Sequence, residues 1–292
     1  MDYGLCLPNT GRHASAGLID AAAALVNRLG WSTVWTTDHV LADRSNRSDY
    51  GQAFEAIETL AWVGARYPRL RLGTSVIVVP MRNAVLLAKE LATLDALSGG
   101  RVVAGVGVGW LEAEFANLAV RDRFRVRGAY VDETIRLWRH LWSGSSEPFE
   151  GRFHSFHDFV FGPLPVQGGA LPIVVGGASP AALRRAATLA DGYQSTSTGP
   201  DGYERRIAQL REAAAAAERP APRLGARLRV QLDRPAGSRY SLAGSVGDVA
   251  AELRRFGSLG VSEVALAFDE PSADALLAAI ERFDREVRPL VG

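Results

Sequence analysis

The chain alternates short extended apolar runs with helix-patterned segments over nearly its whole length, and it does so eight times. "YGLCLP" (3–8) precedes "GLIDAAAALVNRLG" (17–30), where Leu18, Ala22, Leu25, Val26 and Leu29 recur on one helix face and Gly30 supplies a C-terminal cap. "STVWTTDHV" (32–40) leads into "AFEAIETLAWVGARY", "RLRLGTSVIVVP" (69–80) into "AVLLAKELATLDALSGG", and "RVVAGVGVG" (101–109) is the fourth run. Further along, "LPIVVGG" (171–177), "DGYQSTS" (191–197), "RLRVQL" (227–232) and "SEVALAF" (262–268) each precede a helical pattern. Strands that alternate with helices pair in parallel. Eight such units predict an α/β fold of the (β/α)8 TIM-barrel type, because closure removes every exposed sheet edge. A doubly wound open sheet is the alternative.

The rhythm breaks between residues 110 and 170, after the fourth strand. That region holds a helix, "RGAYVDETIRLWRHLW", and the aromatic, turn-rich stretch "EPFEGRFHSFHDFVFGPLPVQGG", read as an irregular excursion with a short hairpin. "ERPAPRLG" (218–225) reads as a loop. No linker divides the chain, so residues 1–292 are expected to form a single domain, longer than the roughly 250 residues usual for such barrels. Thirty-three basic residues balance 32 acidic ones without long runs of either sign, so neither nucleic acid nor a membrane is an expected partner. The start, "MDYGLCLPNT", lacks a basic segment followed by an apolar one, and no stretch approaches the roughly 18 apolar residues of a membrane span. A cytoplasmic location is expected. Cys6 is the only cysteine, which excludes an internal disulfide or a cysteine-based metal cluster.

In barrels of this type the reactive groups come from the C-terminal ends of the strands. Those ends are mostly small and neutral, whereas a metal-dependent hydrolase needs several His, Asp or Glu there. Asp38 and His39 form the one acid–imidazole pair. They suit a carboxylate acceptor and a group that titrates near neutral pH, although Asp38 as a turn cap and His39 as a packed side chain fit equally. His154 and His157 lie in the irregular stretch with no third ligand, and no metal is expected. "GRVVAGVGVGWL" (100–111) places Gly105, Gly107 and Gly109 at a period of two, baring one strand face. Either something flat lies against that face or a crowded interior needs it bare. "VVGGASPAALRRAA" sends a glycine pair into Ser179 and Pro180 at a helix start, which suits a phosphate or simply a well-capped connection.

These pieces occur together in the luciferase-like monooxygenase superfamily. The chain most resembles its branch of coenzyme F420-dependent oxidoreductases, on "GWSTVWTTDHV", the block from Leu70 to Phe115, "RGAYVDETIRLWRHLW", "FEGRFHSF" and "LPIVVGGASPAALRRAATLADGY". The resemblance implies hydride transfer between the deazaflavin F420 and a small organic substrate, with His39 catalytic and Asp38 beside it on the ring. It places Thr74, Ser75 and Val76 behind the ring, with a non-proline cis bond between Ser75 and Val76. Gly107, Val108 and Gly109 fall along the ribityl chain, and Gly176, Gly177, Ala178 and Ser179 cradle the phosphate. FMN with oxygen, in a two-component monooxygenase, is the alternative cofactor chemistry, and a non-catalytic cofactor-binding barrel is a third reading. Other implied partners are a second copy in a homodimer and a separate reductase supplying FMNH2 or reduced F420. Val108 stands where bacterial luciferase carries a phosphate-binding arginine, which favours the deazaflavin. Trp110 stands where the F420-dependent glucose-6-phosphate dehydrogenases carry a glutamate, a departure that touches both acid catalyst and substrate.

Overall fold

In the computed structural model, which describes all 292 residues, eight parallel strands close on themselves. They are β1 (Asp2–Cys6), β2 (Thr33–Thr36), β3 (Arg71–Thr74), β4 (Val102–Gly107), β5 (Ile173–Gly176), β6 (Gly192–Thr196), β7 (Arg223–Leu232) and β8 (Val261–Phe268). Neighbours pair in chain order from β1 to β8. β8 then returns to β1 with Leu5 opposite Leu266, which excludes the open sheet. A TIM barrel results, its outer layer made by α1 (Ala16–Arg28), α2 (Ala56–Arg66), α3 (Ala84–Ser98), α4 (Arg121–Trp142), α5 (Pro180–Leu189), α6 (Pro200–Ala216), α7 (Val246–Ser258) and α8 (Ala273–Arg282). Side-chain oxygens close several helix starts: Ser15, Asn83, Ser179, Ser245 and Ser272 each accept a backbone N–H of the first turn. None of the helices is long and apolar enough to cross a membrane.

Period-two alternation divides the apolar residues between two compartments. Val34, Leu72, Val106, Val175, Leu228 and Leu266 face the helices and belong to one cluster of 63 buried residues. Cys6, Trp35, Val103 and Ala265 form a separate cluster inside the lumen. Trp35 fits there because two strand neighbours lack side chains: a Cβ on Gly4 or Gly73 would lie 2.5 or 2.3 Å from its ring.

Several boundaries differ from the sequence reading. The 69–80 run is interrupted after Thr74 and resumes as the short strand Ile77–Val78 beside β4. The 110–170 region is more regular than expected, because α4 begins at Arg121 and a short helix, Glu112–Asn117, precedes it. Arginines obscure that early start in the sequence, yet Arg123 and Arg127 lie over the rings of Tyr130 and Phe124. The expected hairpin pairs Phe149–Glu150 with Ser155–Phe156, and Glu133 of α4 holds its turn by accepting the N–H groups of Arg152, Phe153 and His154. Lastly, β7 starts at Arg223, inside the expected 218–225 loop, because β6 and β8 both offer it ladder partners.

Candidate active site

A cavity of about 780 Å³ opens at the C-terminal ends of the strands. A smaller one of about 420 Å³, with Asp2, Arg223 and Ser262 in its wall, lies at the opposite end. Only the larger one gathers the residues singled out in the sequence. His39, Asp38, Ser75, Val76, Gly107, Val108, Gly109, Gly176 and Gly177 all line it, whereas Thr74, Ala178 and Ser179 stand behind or beside the wall.

His39 is 9 % exposed and its Nδ1 lies 2.9 Å from Glu114 Oε2. A carboxylate only accepts, so in the neutral ring Nδ1 carries the hydrogen and Nε2 is left as an acceptor. Glu114, 1 % exposed, also accepts the Val40 and Leu41 N–H groups on Oε1, at 2.5 and 3.0 Å. Burial pushes its carboxyl pKa up, but the hydrogen bonds from His39, Val40 and Leu41 outweigh that and hold it below the usual range. Tyr50 stacks on the imidazole at 3.6 Å between centroids, and Trp110, 59 % exposed, meets it edge-on at 6.3 Å.

Asp38, also in the cavity wall, is engaged within the chain. Its Oδ2 accepts the Val78 N–H at 2.8 Å and Arg82 Nε at 3.2 Å, and its Oδ1 accepts Arg82 Nη2 at 2.7 Å. The carboxylate expected to meet a ligand N–H is therefore turned toward the bulge at 75–78, where a cation and an amide reach it first. The Ser75–Val76 peptide bond is cis. Ser75 Oγ donates to Gln194 Oε1 at 2.5 Å, and its carbonyl accepts Arg227 Nη1.

The bulge also accounts for the glycines. A Cβ on Gly107 would stand 2.4 Å from Val76 Cγ2, one on Gly176 2.6 Å from Val76 Cγ1, and one on Gly105 1.7 Å from the Thr74 carbonyl oxygen. Between the two readings of the period of two, the crowded interior holds for Gly105, while Gly107 and Gly176 make room for Val76 and still border the cavity. Thr74 sits in the same packing, its hydroxyl donating to the Gly105 carbonyl at 2.7 Å.

The turn at 176–179 has the makings of an anion cradle. The amides of Gly177, Ala178 and Ser179 have no acceptor within the chain, and they precede the N-terminus of α5. Ser179 spends its hydroxyl on the Ala182 N–H. Ser195, fully buried, has a hydroxyl with no partner. Alternation puts it on the same face of β6 as Tyr193, whose hydroxyl donates to the Gly177 carbonyl at 2.7 Å. An orphaned buried hydroxyl beside three free amides fits a phosphate-bearing cofactor.

Elsewhere His154 is occupied by Glu133 and Tyr130, at 3.0 and 3.3 Å. No group of three His, Cys, Asp or Glu is arranged to hold a metal.

Sequence reasoning missed Glu114 and Arg227. Glu114 was present in the quoted 70–115 block, but nothing in "LEAEF" separates it from Glu112, which is half exposed and pairs with Arg121 on the surface.

The F420-dependent glucose-6-phosphate dehydrogenase of Kineococcus radiotolerans is 34 % identical over 206 residues, 70 % of this chain and 60 % of that one. The enzyme of the same name from Nakamurella multipartita is 33 % identical over 181 residues, 62 % and 52 % of the two chains. The chain thus spans between half and three-fifths of these relatives' lengths. Among solved structures, an F420-dependent secondary alcohol dehydrogenase in complex with an F420–acetone adduct superposes with a TM-score of 0.84 at 18 % identity, covering 100 % of this chain and 99 % of that one. Monooxygenase RslO1 from Streptomyces bottropensis gives 0.83 at 23 %, with both chains covered in full. At these identities the likeness speaks to the fold. The family model for luciferase-like monooxygenases matches residues 1–268, nearly the entire barrel with every residue of the His39 site, and the chain belongs to that family.

Proposed function

We propose that the chain, acting as one barrel domain, is a coenzyme F420-dependent oxidoreductase that transfers hydride between the deazaflavin and a small organic substrate. The observation that carries this reading is His39 in the cavity wall, fixed through Nδ1 by buried Glu114 and left with Nε2 unpartnered beside the cis bulge. The names of the relatives support it. When bound, the deazaflavin supplies a hydride-carrying carbon, and the rest falls to the protein. Ser75, Val76, Gly107, Val108 and Gly109 would form the wall behind the ring and its side chain, and Gly176, Gly177, Ala178 and Ser195 would hold the phosphate. Asp38 would set the position of the bulge, while Thr74 and Ser179 would act on packing and on the helix start. His39 would accept or deliver a proton at Nε2 when the substrate oxygen changes charge. With Trp110 at the edge of the imidazole where a glutamate would otherwise stand, His39 is the acid–base group of this reading. A cytoplasmic location, a homodimer and a separate enzyme that reduces the cofactor belong to the same proposal.

The test is an equilibrium titration of the purified protein with F420 and with FMN, each oxidised and reduced, followed by cofactor absorbance and fluorescence. Selective binding of F420 is the expected result. A preference for FMN, with product formation that requires oxygen, would replace hydride transfer by a two-component monooxygenase, and affinity for neither cofactor would refute the reading.

A further inference from the structure

Arg227 stands in the wall of the cavity with no anion beside it. On β7 the alternate residues Ala226, Leu228 and Val230 belong to the core beneath the helices, so the period of two turns Arg227 into the lumen. Its Nη2 donates to Thr37 Oγ1 at 2.8 Å and its Nη1 to the Ser75 carbonyl. Both acceptors are neutral.

All but one of the carboxylates nearby are engaged elsewhere. Asp38 is held by Arg82, Asp269 by Arg229 at 3.0 Å, Glu270 by Arg234 and Glu114 by His39. Glu263, lower in the lumen, accepts the Thr33 hydroxyl at 2.6 Å. Among the residues lining the cavity, Asp49 is a carboxylate without a cation, against Arg12, Arg227 and Arg239 as cations without a carboxylate. Of these three, Arg12 and Arg239 are exposed at the rim and Arg227 is the partly buried one. A guanidinium withdrawn from water loses hydration that two neutral acceptors replace only in part, and low-dielectric walls strengthen its attraction for an arriving anion. Its fork of five N–H donors matches two coplanar oxygens.

We propose that Arg227 anchors a planar oxyanion carried by a small molecule bound in this cavity. The inference rests on the proposed function in taking the cavity as the ligand site, and deepens it by giving the ligand a charge. Two molecules can bring that chemistry: a substrate bearing a carboxylate, or the cofactor through an anionic ring edge.

The test uses the cofactor-free full chain, with benzoate as the charged probe and benzamide as its uncharged analogue, at constant ionic strength, with binding read by calorimetry. The wild type is expected to bind benzoate at least tenfold more tightly than benzamide, and folded Arg227→Gln to lose that preference. Equal affinity for the two probes in the wild type, or an unchanged preference in Arg227→Gln, overturns the proposal. If the glutamine variant does not fold, Arg227→Lys keeps the charge without the fork, and a benzoate affinity within twofold of wild type then counts against the anchor. Repeating the titration on protein saturated with oxidised F420 separates the sources. Retained benzoate binding assigns Arg227 to a substrate carboxylate. Displacement, with a selective loss of affinity for reduced F420 in the variant, assigns it to the cofactor. If F420 does not bind while benzoate binding still depends on Arg227, the proposed function fails and the anchor stands.

Discussion

His39 divides its two ring nitrogens between two tasks, and replacing either partner separates them. His39→Ala removes the group that faces the cavity while leaving its walls in place. Turnover should fall by about 100-fold or more, the usual worth of a positioned acid–base group, with the Kd for the cofactor nearly unchanged; stopped-flow reduction and fluorescence titration measure the two. Glu114→Gln keeps an oxygen for the amides of Val40 and Leu41 but removes the charge opposite Nδ1. The carboxyl of Glu114 is held below its ordinary range, so its contribution to stability is complete above the unfolded pKa of about 4.3 and is lost as pH falls through the lower folded value. Thermal melts between pH 6 and 3 should therefore drop less steeply for Glu114→Gln than for wild type, and the acid limb of its pH–rate profile should shift. Of this site, the sequence displays Asp38 and His39 because they are adjacent. It conceals Glu114, 75 residues from His39, because only the fold brings it to the imidazole.

At the scale of the element, the glycines of β4 and the bulge after β3 are one structure. Alanine at Gly107 drives a Cβ against a methyl group of Val76, which can shift only with its χ1, whereas alanine at Gly105 meets a backbone carbonyl that cannot yield. Gly107→Ala should cost about 1–3 kcal/mol, in line with other overpacked cores, and weaken cofactor binding as Val76 shifts. Gly105→Ala should cost more and accumulate poorly. Gly17, on α1 with nothing within 4 Å of its Cβ position, provides the contrast: Gly17→Ala should be neutral or stabilise by up to about 1 kcal/mol. Urea titrations rank the three. The spacing of these glycines is plain in the sequence, but its cause lies 31 residues back in each case, in Thr74 for Gly105 and in Val76 for Gly107. The early start of α4 is concealed differently, by arginines whose guanidinium groups lie over rings.

For the molecule as a whole, the repeated strand–helix pattern made the barrel legible, since eight parallel units have few other ways to hide their edges. It could not reveal that the polar face of β7 turns inward, because alternation reads alike whether the polar side meets water or a lumen; Arg227 was hidden for that reason. Trp35 fills the lumen between Gly4 and Gly73, and Trp35→Ala should lower Tm by on the order of 10 °C, as truncating a large buried side chain does in a domain of this size. Calorimetry checks it. The lumen cluster to which that ring belongs, with Cys6 in the cavity's own wall, makes the cavity a blind alley. With the passage below it sealed, everything that enters must leave by the mouth, and the molecule seated deeper leaves last. Steady-state kinetics should then follow a compulsory order, in which the shallower ligand binds second, departs first, and traps the deeper one when present in excess.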